Sequence, residues 1–256
     1  MAAYQDQGIV LRARPYREND SLVTLFLINQ GKVAAVAKGV RKPRSPLLAG
    51  LYPLSYTEFS LYRGRSSLES VVGAEVIHGF GRIREDLDRI GWAALMADVV
   101  DECFSDHDSS PEAFYALVAG LETLNEGRHP PSVAMATVWH LLRAAGFAGQ
   151  FASCAGCQGE LKAGMVIRAG HFEPLCADCA LMRGGSSTRF SAGAVKTANR
   201  WLELPPAKFG GVETRGRLVG EMVRLLTLNL TAHLNRPPRS LQFLGQLMET
   251  EVEEPR

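Results

Sequence analysis

The sequence lacks most features that identify an enzyme, a secreted protein or a membrane protein. Its 256 residues contain no phosphate-binding loop, since Gly31-Lys32 is followed by valine, and no G-x-S-x-G motif. No stretch reaches the ~20 apolar residues that cross a bilayer, because the best candidate, residues 90–100, is interrupted by Asp98. The N-terminus has neither the basic nor the apolar part of a secretory signal. We therefore expect a cytoplasmic protein that does not associate with membranes.

The net charge is also close to zero, since the chain has 28 lysines and arginines and 27 acidic residues. The charge is nevertheless unevenly distributed. Residues 1–84 contain 12 basic and 6 acidic residues, a balance of +6, and the remainder has a balance of −5. A basic first part suggests a domain that binds a polyanion, although an imbalance of this size is also common on solvated surfaces.

The first 80 residues have the pattern of a small β domain. Short stretches rich in valine, isoleucine, leucine and threonine predict strands at residues 7–14, 21–28, 32–38, 51–62 and 67–78. Asn29-Gln30-Gly31 is a tight hairpin connection, in which the glycine permits a positive φ. Five strands without a long helix suit a Greek-key barrel of the OB type. An SH3-like barrel and a small sandwich are the alternatives.

From residue 81 onward the apolar periodicity is helical. Helices are predicted at residues 84–104, 111–125, 130–145, 191–204, 213–234 and 241–248, and an acidic tail follows at 249–256. The predicted fold class is multidomain α+β. An OB-type domain, the candidate polyanion-binding part, spans residues 1–80, and a helical domain spans residues 81–256, with an irregular, glycine-rich loop inserted at 147–186.

Cysteine is scarce, and four of the five cysteines form two C-x-x-C pairs. Cys154 and Cys157 are separated by 18 residues from Cys176 and Cys179. This spacing is typical of a four-cysteine zinc site, and an all-thiolate ligand set leaves no position for a catalytic water. Two disulfides or unrelated core thiols are the alternatives, and disulfides are disfavoured in a chain without an export signal.

Two other groups of residues leave alternatives open. His171-Phe172-Glu173, ahead of the second cysteine pair, partly matches the H-x-E and P-C-x-x-C signature of zinc nucleobase deaminases. That interpretation leaves the first pair unexplained and puts the histidine very close to the second. The acidic run at residues 98–108 is either a cation site or a solvated helix end, and the helix end is the commoner case.

Basic side chains are the candidate contacts to nucleic acid. They follow the first predicted strand, fill a loop without acidic residues and occupy a later turn. The candidates are Arg12, Arg14, Arg17, Lys38, Arg41, Lys42, Arg44, Arg63 and Arg65. Tyr16 and Tyr62 are close in sequence. Cations follow phosphates and aromatic faces stack on bases, which is how single strands are held without sequence preference.

The segments GIVLRARPYRENDSLVTLF at residues 8–26 and GKVAAVAKGVRKPRS at residues 31–45 resemble the bacterial recombination mediator family RecO. The resemblance continues through residues 64–69, the helical part, the paired cysteines and RSLQFL at residues 239–244. It implies an N-terminal OB fold and a helical C-terminal domain that holds structural Zn²⁺. It also implies a protein of DNA repair and recombination that is not an enzyme and lies near the bacterial nucleoid.

The same resemblance implies the partners. Members bind single- and double-stranded DNA, anneal complementary strands and, with RecR and single-stranded-DNA-binding protein, help to load RecA. The chain departs from the family near the cysteines, reading Gly149-Gln150-Phe151 where P-x-L is frequent and Phe172-Glu173-Pro174 where Gly-Gly is frequent. Two hypotheses result: a DNA-binding and annealing mediator, or a metal-dependent, deaminase-like enzyme that modifies nucleic acid.

Overall fold

The computed structural model describes residues 2–65, 67–168, 170–234, 238–241 and 243–244. Its first part is a closed barrel with the strand order β1-β2-β3-β5-β4. The strands are β1 (Ala2–Pro15), β2 (Ser21–Leu27), β3 (Gly31–Ala37), β4 (Tyr56–Arg63) and β5 (Glu69–His78). All neighbours are antiparallel except β3 and β5, which are parallel. The predicted OB-type barrel is therefore confirmed.

Strand β1 closes the barrel because it pairs with two neighbouring strands. Its first half pairs with β4 and its second half pairs with β2. Gly8 lies where the two pairings overlap, and a Cβ there would come within 2.5 Å of Leu27 and 2.9 Å of the Phe26 carbonyl oxygen. An extra residue between Val10 and Arg12 forms a bulge. A missing side chain and a bulge are the usual means by which a long strand bends.

The second part consists of helices around α4. The helices are α1 (Gly81–Arg84), α2 (Leu87–Cys103), α3 (Pro111–Asn125), α4 (Pro130–Ala144), α5 (Ala177–Arg183), α6 (Ala192–Glu203) and α7 (Arg217–His233). A small sheet in the order β7-β6-β8 is formed by β6 (Met165–Arg168), β7 (Pro174–Leu175) and β8 (Ser187–Phe190). Short 3₁₀ turns span Ala49–Leu51 and Pro206–Gly211. Helix α4 is buried at eleven consecutive positions, from Ser132 to Leu142, so it forms the centre of the core.

Helix and strand ends differ from the sequence prediction for local reasons. Helix α2 begins at Leu87, because the Asp86 side chain accepts the N–H groups of Asp88 and Arg89 and caps it. Helix α7 begins after Gly216, whose φ of +55° is not helical. Strand β4 begins only at Tyr56, after a 3₁₀ turn. Most of the predicted helix at 241–248 and the whole predicted tail at 249–256 lie outside the described residues.

The barrel packs directly on the helices, so a single apolar cluster extends from one to the other. Phe26 of β2 lies 5.6 Å from Phe104 and 6.1 Å from Phe114 between ring centroids. Gly31 permits the backbones to approach closely, since a Cβ there would lie 2.2 Å from the Asp108 carbonyl oxygen. The His107 N–H donates to the Lys32 carbonyl oxygen at 2.9 Å. In the described part of the chain, no helix has the length and apolar character needed to span a membrane.

Candidate metal centre and nucleic-acid interface

The four paired cysteines meet in space. Their sulfur atoms all lie within 4.8 Å of one another, and Cys157 Sγ is 3.8 Å from Cys176 Sγ. A tetrahedral Zn²⁺ with Zn–S distances of about 2.3 Å requires sulfur–sulfur distances of about 3.8 Å. The four thiols therefore surround a space of the right size for a metal ion.

The first pair lies in a tight turn that glycine makes possible. The Gly156 N–H points at Cys154 Sγ, at 3.3 Å. A Cβ at Gly156 would lie 2.9 Å from Cys179 Sγ, so any side chain there would displace the second pair. The Cys154 N–H donates to the Gly159 carbonyl oxygen at 2.8 Å, which closes the turn.

The second pair lies where β7 leads into α5. Cys176 is the N-cap of α5, and its sulfur accepts the Cys179 N–H at 3.5 Å. The Cys176 N–H donates to Cys154 Sγ at 3.2 Å, so each pair helps to position the other. The Ala155 N–H donates to the Pro174 carbonyl oxygen at 2.8 Å and fastens the first turn to β7.

The local environment shifts the pKa values of two of the four thiols in opposite directions. Burial tends to raise the pKa of Cys154, but the backbone N–H groups of Cys157, Cys176 and Gly156 outweigh it and lower the pKa to about 6. The hydrogen bond with Cys176, followed by burial and the nearby Cys154 thiolate, raises the pKa of Cys179 to about 12. Several thiolates at this separation repel one another, and a divalent cation would remove that repulsion.

Aromatic side chains anchor the cysteine segment on α4. Phe151 meets Trp139 edge to face, with ring centroids 5.2 Å apart, and Phe172 stacks on the same Trp139 at 6.3 Å. Gly149 leaves room for this arrangement, because a Cβ there would lie 2.7 Å from the Phe172 ring. Gly149, Phe151 and Phe172 belong to the two segments that depart from the family pattern. Together they form one packing arrangement.

The deaminase-like alternative would require a histidine among the ligands. Among the described residues, the group of possible ligands at this site consists of the four cysteines and contains neither His171 nor Glu173. Glu173 instead forms an ion pair of 2.6 Å with Arg183. A set of four sulfurs leaves no position for water, so the geometry favours a structural ion over a catalytic one.

Six of the nine candidate DNA contacts gather at one end of the barrel. The β1–β2 turn meets the loop after β3, where the Gly39 N–H donates to Asp20 Oδ1 at 2.8 Å and the Arg41 N–H donates to the Asn19 carbonyl oxygen at 3.0 Å. Val40 is buried and pins the loop to the barrel. The cationic rim so formed consists of the exposed residues Arg14, Arg17, Lys38, Arg41, Lys42 and Arg44.

An aromatic side chain lies at the same rim. Tyr16 is 39% exposed, and the guanidinium of Arg17 lies 5.3 Å from the centre of its ring. Glu18 and Asp20 bring two acidic residues to the β1–β2 turn. Asp20 is occupied by the backbone of the neighbouring loop. The rim therefore presents cations and one accessible ring, which are the groups that contact phosphates and bases.

The other three candidates lie elsewhere. Arg12 forms ion pairs with Asp98 and Asp101 of α2. Arg63 binds the buried Glu69 at 2.7 Å and also donates to Gln30, at the opposite end of β3 from Lys38. Arg65 is exposed in the turn after β4. The carboxylate partners of Arg12 could not be predicted from the sequence, because the nearer one lies 86 positions away.

Comparison with known proteins agrees with this architecture. Residues 1–80 match the family model described as "Recombination protein O N terminal", and residues 84–242 match "Recombination protein O C terminal". The chain belongs to the RecO family of DNA repair proteins. This RecO family member therefore combines an OB-type barrel with a helical part that carries a four-cysteine cluster able to hold a metal ion.

Curated relatives match almost the whole chain. A DNA repair protein RecO of Moorella thermoacetica is 32% identical over 256 residues, which cover 98% of this chain and 94% of the relative. The DNA repair protein RecO of Geobacter sulfurreducens is 34% identical over 242 residues, or 94% and 97% of the two chains. The DNA repair protein RecO of Symbiobacterium thermophilum is 31% identical over 254 residues, which cover 96% of this chain and 98% of the relative. The resemblance inferred from the sequence is thereby confirmed.

Proposed function

We propose that this RecO family protein is a recombination mediator that binds single- and double-stranded DNA and anneals complementary strands. In this proposal, residues 1–80 are the DNA-binding domain. Residues 81–256 form the domain that meets other proteins, and residues 147–186 are its zinc-binding loop. The protein acts through binding energy and catalyses no reaction on the DNA. It would accordingly be found on the bacterial nucleoid.

The observation that carries this proposal is the cationic rim. Six exposed cations lie at one end of the barrel, Arg14 near the end of β1 and the other five on two connected loops. Each phosphate contact releases condensed counterions, so such a surface binds DNA strongly at low salt and without sequence preference. Arg65 also remains a candidate contact, whereas carboxylates engage Arg12 and Arg63 in the free protein and would have to be displaced before either arginine could contact DNA.

Annealing follows from the same chemistry. Two complementary strands repel each other through their phosphates, and exposed cations reduce that repulsion by neutralising charge. The bases must stay free to pair, and Tyr16 is the one aromatic ring that we assign to the rim, so stacking holds them weakly. We therefore expect annealing without ATP and without Mg²⁺.

We further propose that Cys154, Cys157, Cys176 and Cys179 hold one structural Zn²⁺. The donor set is entirely sulfur, and the backbone N–H groups directed at Cys154 and Cys176 suit thiolate ligands. The bound ion would cross-link the two C-x-x-C pairs. Within the chain itself, the Ala155 N–H fastens the first turn to β7, and the Cys176 N–H binds Cys154 Sγ. Phe151 and Phe172 then fix this segment on α4.

The proposed protein partners are RecR and single-stranded-DNA-binding protein, and through them RecA. The family resemblance supports these partners. We assign their contacts to the helical domain, because residues 85–256, which form nearly all of it, have a balance of −5 and are a poor second surface for DNA. The barrel would then hold a DNA strand while the helical domain binds the partner proteins.

The annealing assay that tests this function compares the wild type with a Lys38→Ala/Lys42→Ala variant. Both lysines are exposed on the rim. Two dye-labelled complementary strands report annealing by energy transfer, with and without ATP and Mg²⁺. We expect a wild-type rate that is independent of both additions, and a slower rate for the variant. An ATP requirement, or a variant that binds DNA poorly yet anneals at the full rate, would contradict the proposal.

A further inference from the structure

The four clustered cysteines differ in their access to solvent. Cys154 and Cys179 are buried, Cys176 is intermediate and Cys157 is exposed. The two more accessible residues, Cys157 and Cys176, belong to different C-x-x-C pairs, and their sulfurs lie 3.8 Å apart. The pair Cys157 and Cys176, one from each C-x-x-C motif, is therefore the part of the cluster nearest to solvent.

A glycine keeps the exposed sulfur open. A Cβ placed on Gly159 would lie 3.4 Å from Cys157 Sγ, and this is the only contact within 4 Å that such a Cβ would make with the described residues. An alanine methyl group at position 159 would therefore lie against this sulfur and contact no other part of the site. Cys154 and Cys179 are less accessible because both are buried, and Cys154 Sγ in addition accepts N–H groups from Gly156 and Cys176.

We propose that Cys157 and Cys176 form a site of oxidative modification. A hydroperoxide oxidises Cys157, Cys176 couples to it as a disulfide, and the metal ion is released. The release step rests on the metal site proposed above, whereas the choice of sulfurs rests on their exposure and separation. Reactivity of a thiolate toward an oxidant follows its accessibility, and Cys157 is the accessible member.

The chemistry balances with hydrogen peroxide as the oxidant. The Cys157 thiolate attacks one peroxide oxygen, the O–O bond breaks, and hydroxide leaves a sulfenic acid on the sulfur. The Cys176 thiolate then attacks that sulfur, the S–O bond breaks, and a second hydroxide departs. The two thiolates lose two electrons and the peroxide gains them. Only Cys154 and Cys179 then remain as ligands, too few for a structural site.

The fifth cysteine provides an internal control. Cys103 lies on α2, and burial, together with the nearby Glu102, raises the pKa of its thiol to about 12. It is therefore protonated at neutral pH and is a poor nucleophile. The proposal requires that Cys103, Cys154 and Cys179 stay reduced while Cys157 and Cys176 are lost as free thiols.

Disulfide mapping tests the choice of sulfurs in the intact protein. Trypsin separates the two pairs, because Lys162 and Arg168 lie between them and no lysine or arginine lies within either pair. Coupling of Cys157 to Cys176 therefore links two tryptic peptides, whereas a bond within either pair links none, and fragmentation of the linked peptides shows which cysteine of each is joined. After limited peroxide treatment, we expect the linked peptides to dominate by about tenfold, since access decides the order of reaction. A bond predominantly within a pair would overturn the proposal.

Zinc release, followed with a colorimetric chelator, should match the linked peptides at one ion per disulfide. Release that precedes any disulfide would overturn the proposed order. Protein purified without zinc would refute the metal site, but the disulfide map would still decide which thiols couple.

A variant tests the role of the open sulfur without removing a ligand. Gly159→Ala should slow formation of the disulfide about threefold by covering Cys157, while the zinc content stays the same. Gly220→Ala is the matched control, since a Cβ there meets nothing within 4 Å. Equal oxidation rates in Gly159→Ala, Gly220→Ala and the wild type would show that exposure of Cys157 does not set the reactivity.

Discussion

Arg12 Nε lies 2.9 Å from Asp101 Oδ2, an ion pair that joins the barrel to the first long helix. Asp98 accepts a second bond from Arg12 at 3.2 Å, and it also accepts the Ser240 hydroxyl at 2.7 Å. Lys32 donates to the Asp101 carbonyl oxygen at 2.6 Å. Asp98 and Asp101, which belong to the acidic run of the sequence, are therefore partners of barrel cations.

Arg12→Ala should weaken this junction more than it weakens DNA binding. Arg12 is half exposed, so we expect a loss of about 1 kcal/mol in the free energy of unfolding. The slope of log affinity for DNA against log salt should stay the same. Chemical denaturation and fluorescence anisotropy with a labelled oligonucleotide measure the two quantities.

Arg14→Ala is the matched control, because Arg14 lies two residues along the same strand and belongs to the rim. It should leave the stability unchanged and reduce the salt slope by about 1. A reduced slope with unchanged stability in Arg12→Ala would assign Arg12 to the DNA surface instead.

The contrast between Arg12 and Arg14 shows what the sequence could and could not predict. Both arginines follow the same apolar stretch, so local pattern alone makes them equivalent. The strands and the barrel were predictable, because alternation and turn residues act over a few positions. The difference between the two arginines comes from α2, whose aspartates are 86 and 89 positions from Arg12 and dock only when the whole chain is folded.

The Lys38→Ala/Lys42→Ala variant should change the salt dependence of DNA binding. Removing two phosphate contacts should reduce the slope of log affinity against log salt by about 2, for single and double strands alike. Titrations at several salt concentrations give the slope. Lys196→Ala/Arg200→Ala, which removes two exposed cations from α6, is the control and should leave the slope unchanged. Equal slopes in the wild type and the rim variant would place the DNA elsewhere.

Cys154→Ser should release the metal and destabilise the helical domain. Cys154 is buried, and its sulfur accepts two N–H groups that a shorter hydroxyl would satisfy less well. We expect a loss of about 3 kcal/mol, or about 10 °C in Tm for a domain of this size. Elemental analysis and calorimetry provide the measurements. Cys103→Ala should keep one zinc per chain, and a Cys154→Ser protein with full zinc content would contradict the assignment.

The cysteine cluster was the most predictable part of the site, and its surroundings were the least. Two C-x-x-C pairs constrain their own geometry, because each pair brings two sulfurs to one side of a tight turn. The packing of Phe151 and Phe172 on Trp139 could not be inferred, since it depends on the orientation of α4 beneath the loop. The unequal exposure of the four sulfurs likewise depends on the folded loop.

His140 should make the protein sensitive to acid. It is buried on α4, where Nε2 lies 2.8 Å from the Trp201 carbonyl oxygen and Nδ1 lies 3.0 Å from Arg143 Nη2. A neutral ring satisfies both contacts by donating from Nε2 and accepting at Nδ1. Burial, and next the charge of Arg143, lower the pKa of His140 below its ordinary value of 6.5, whereas the Trp201 carbonyl oxygen and Glu112 act in the opposite direction.

Because the folded state disfavours protonation of His140, the neutral ring contributes to the free energy of unfolding. This contribution is complete above the ordinary histidine pKa and is lost as the pH falls below it. Tm should therefore begin to fall below a pH of about 6.5. His140→Gln should be less stable than the wild type at neutral pH, and the difference between the two should narrow as the pH decreases. His171→Gln, at an exposed position, should follow the wild type at every pH. A constant difference between wild type and His140→Gln would show that other groups, such as protonating carboxylates, cause the acid sensitivity.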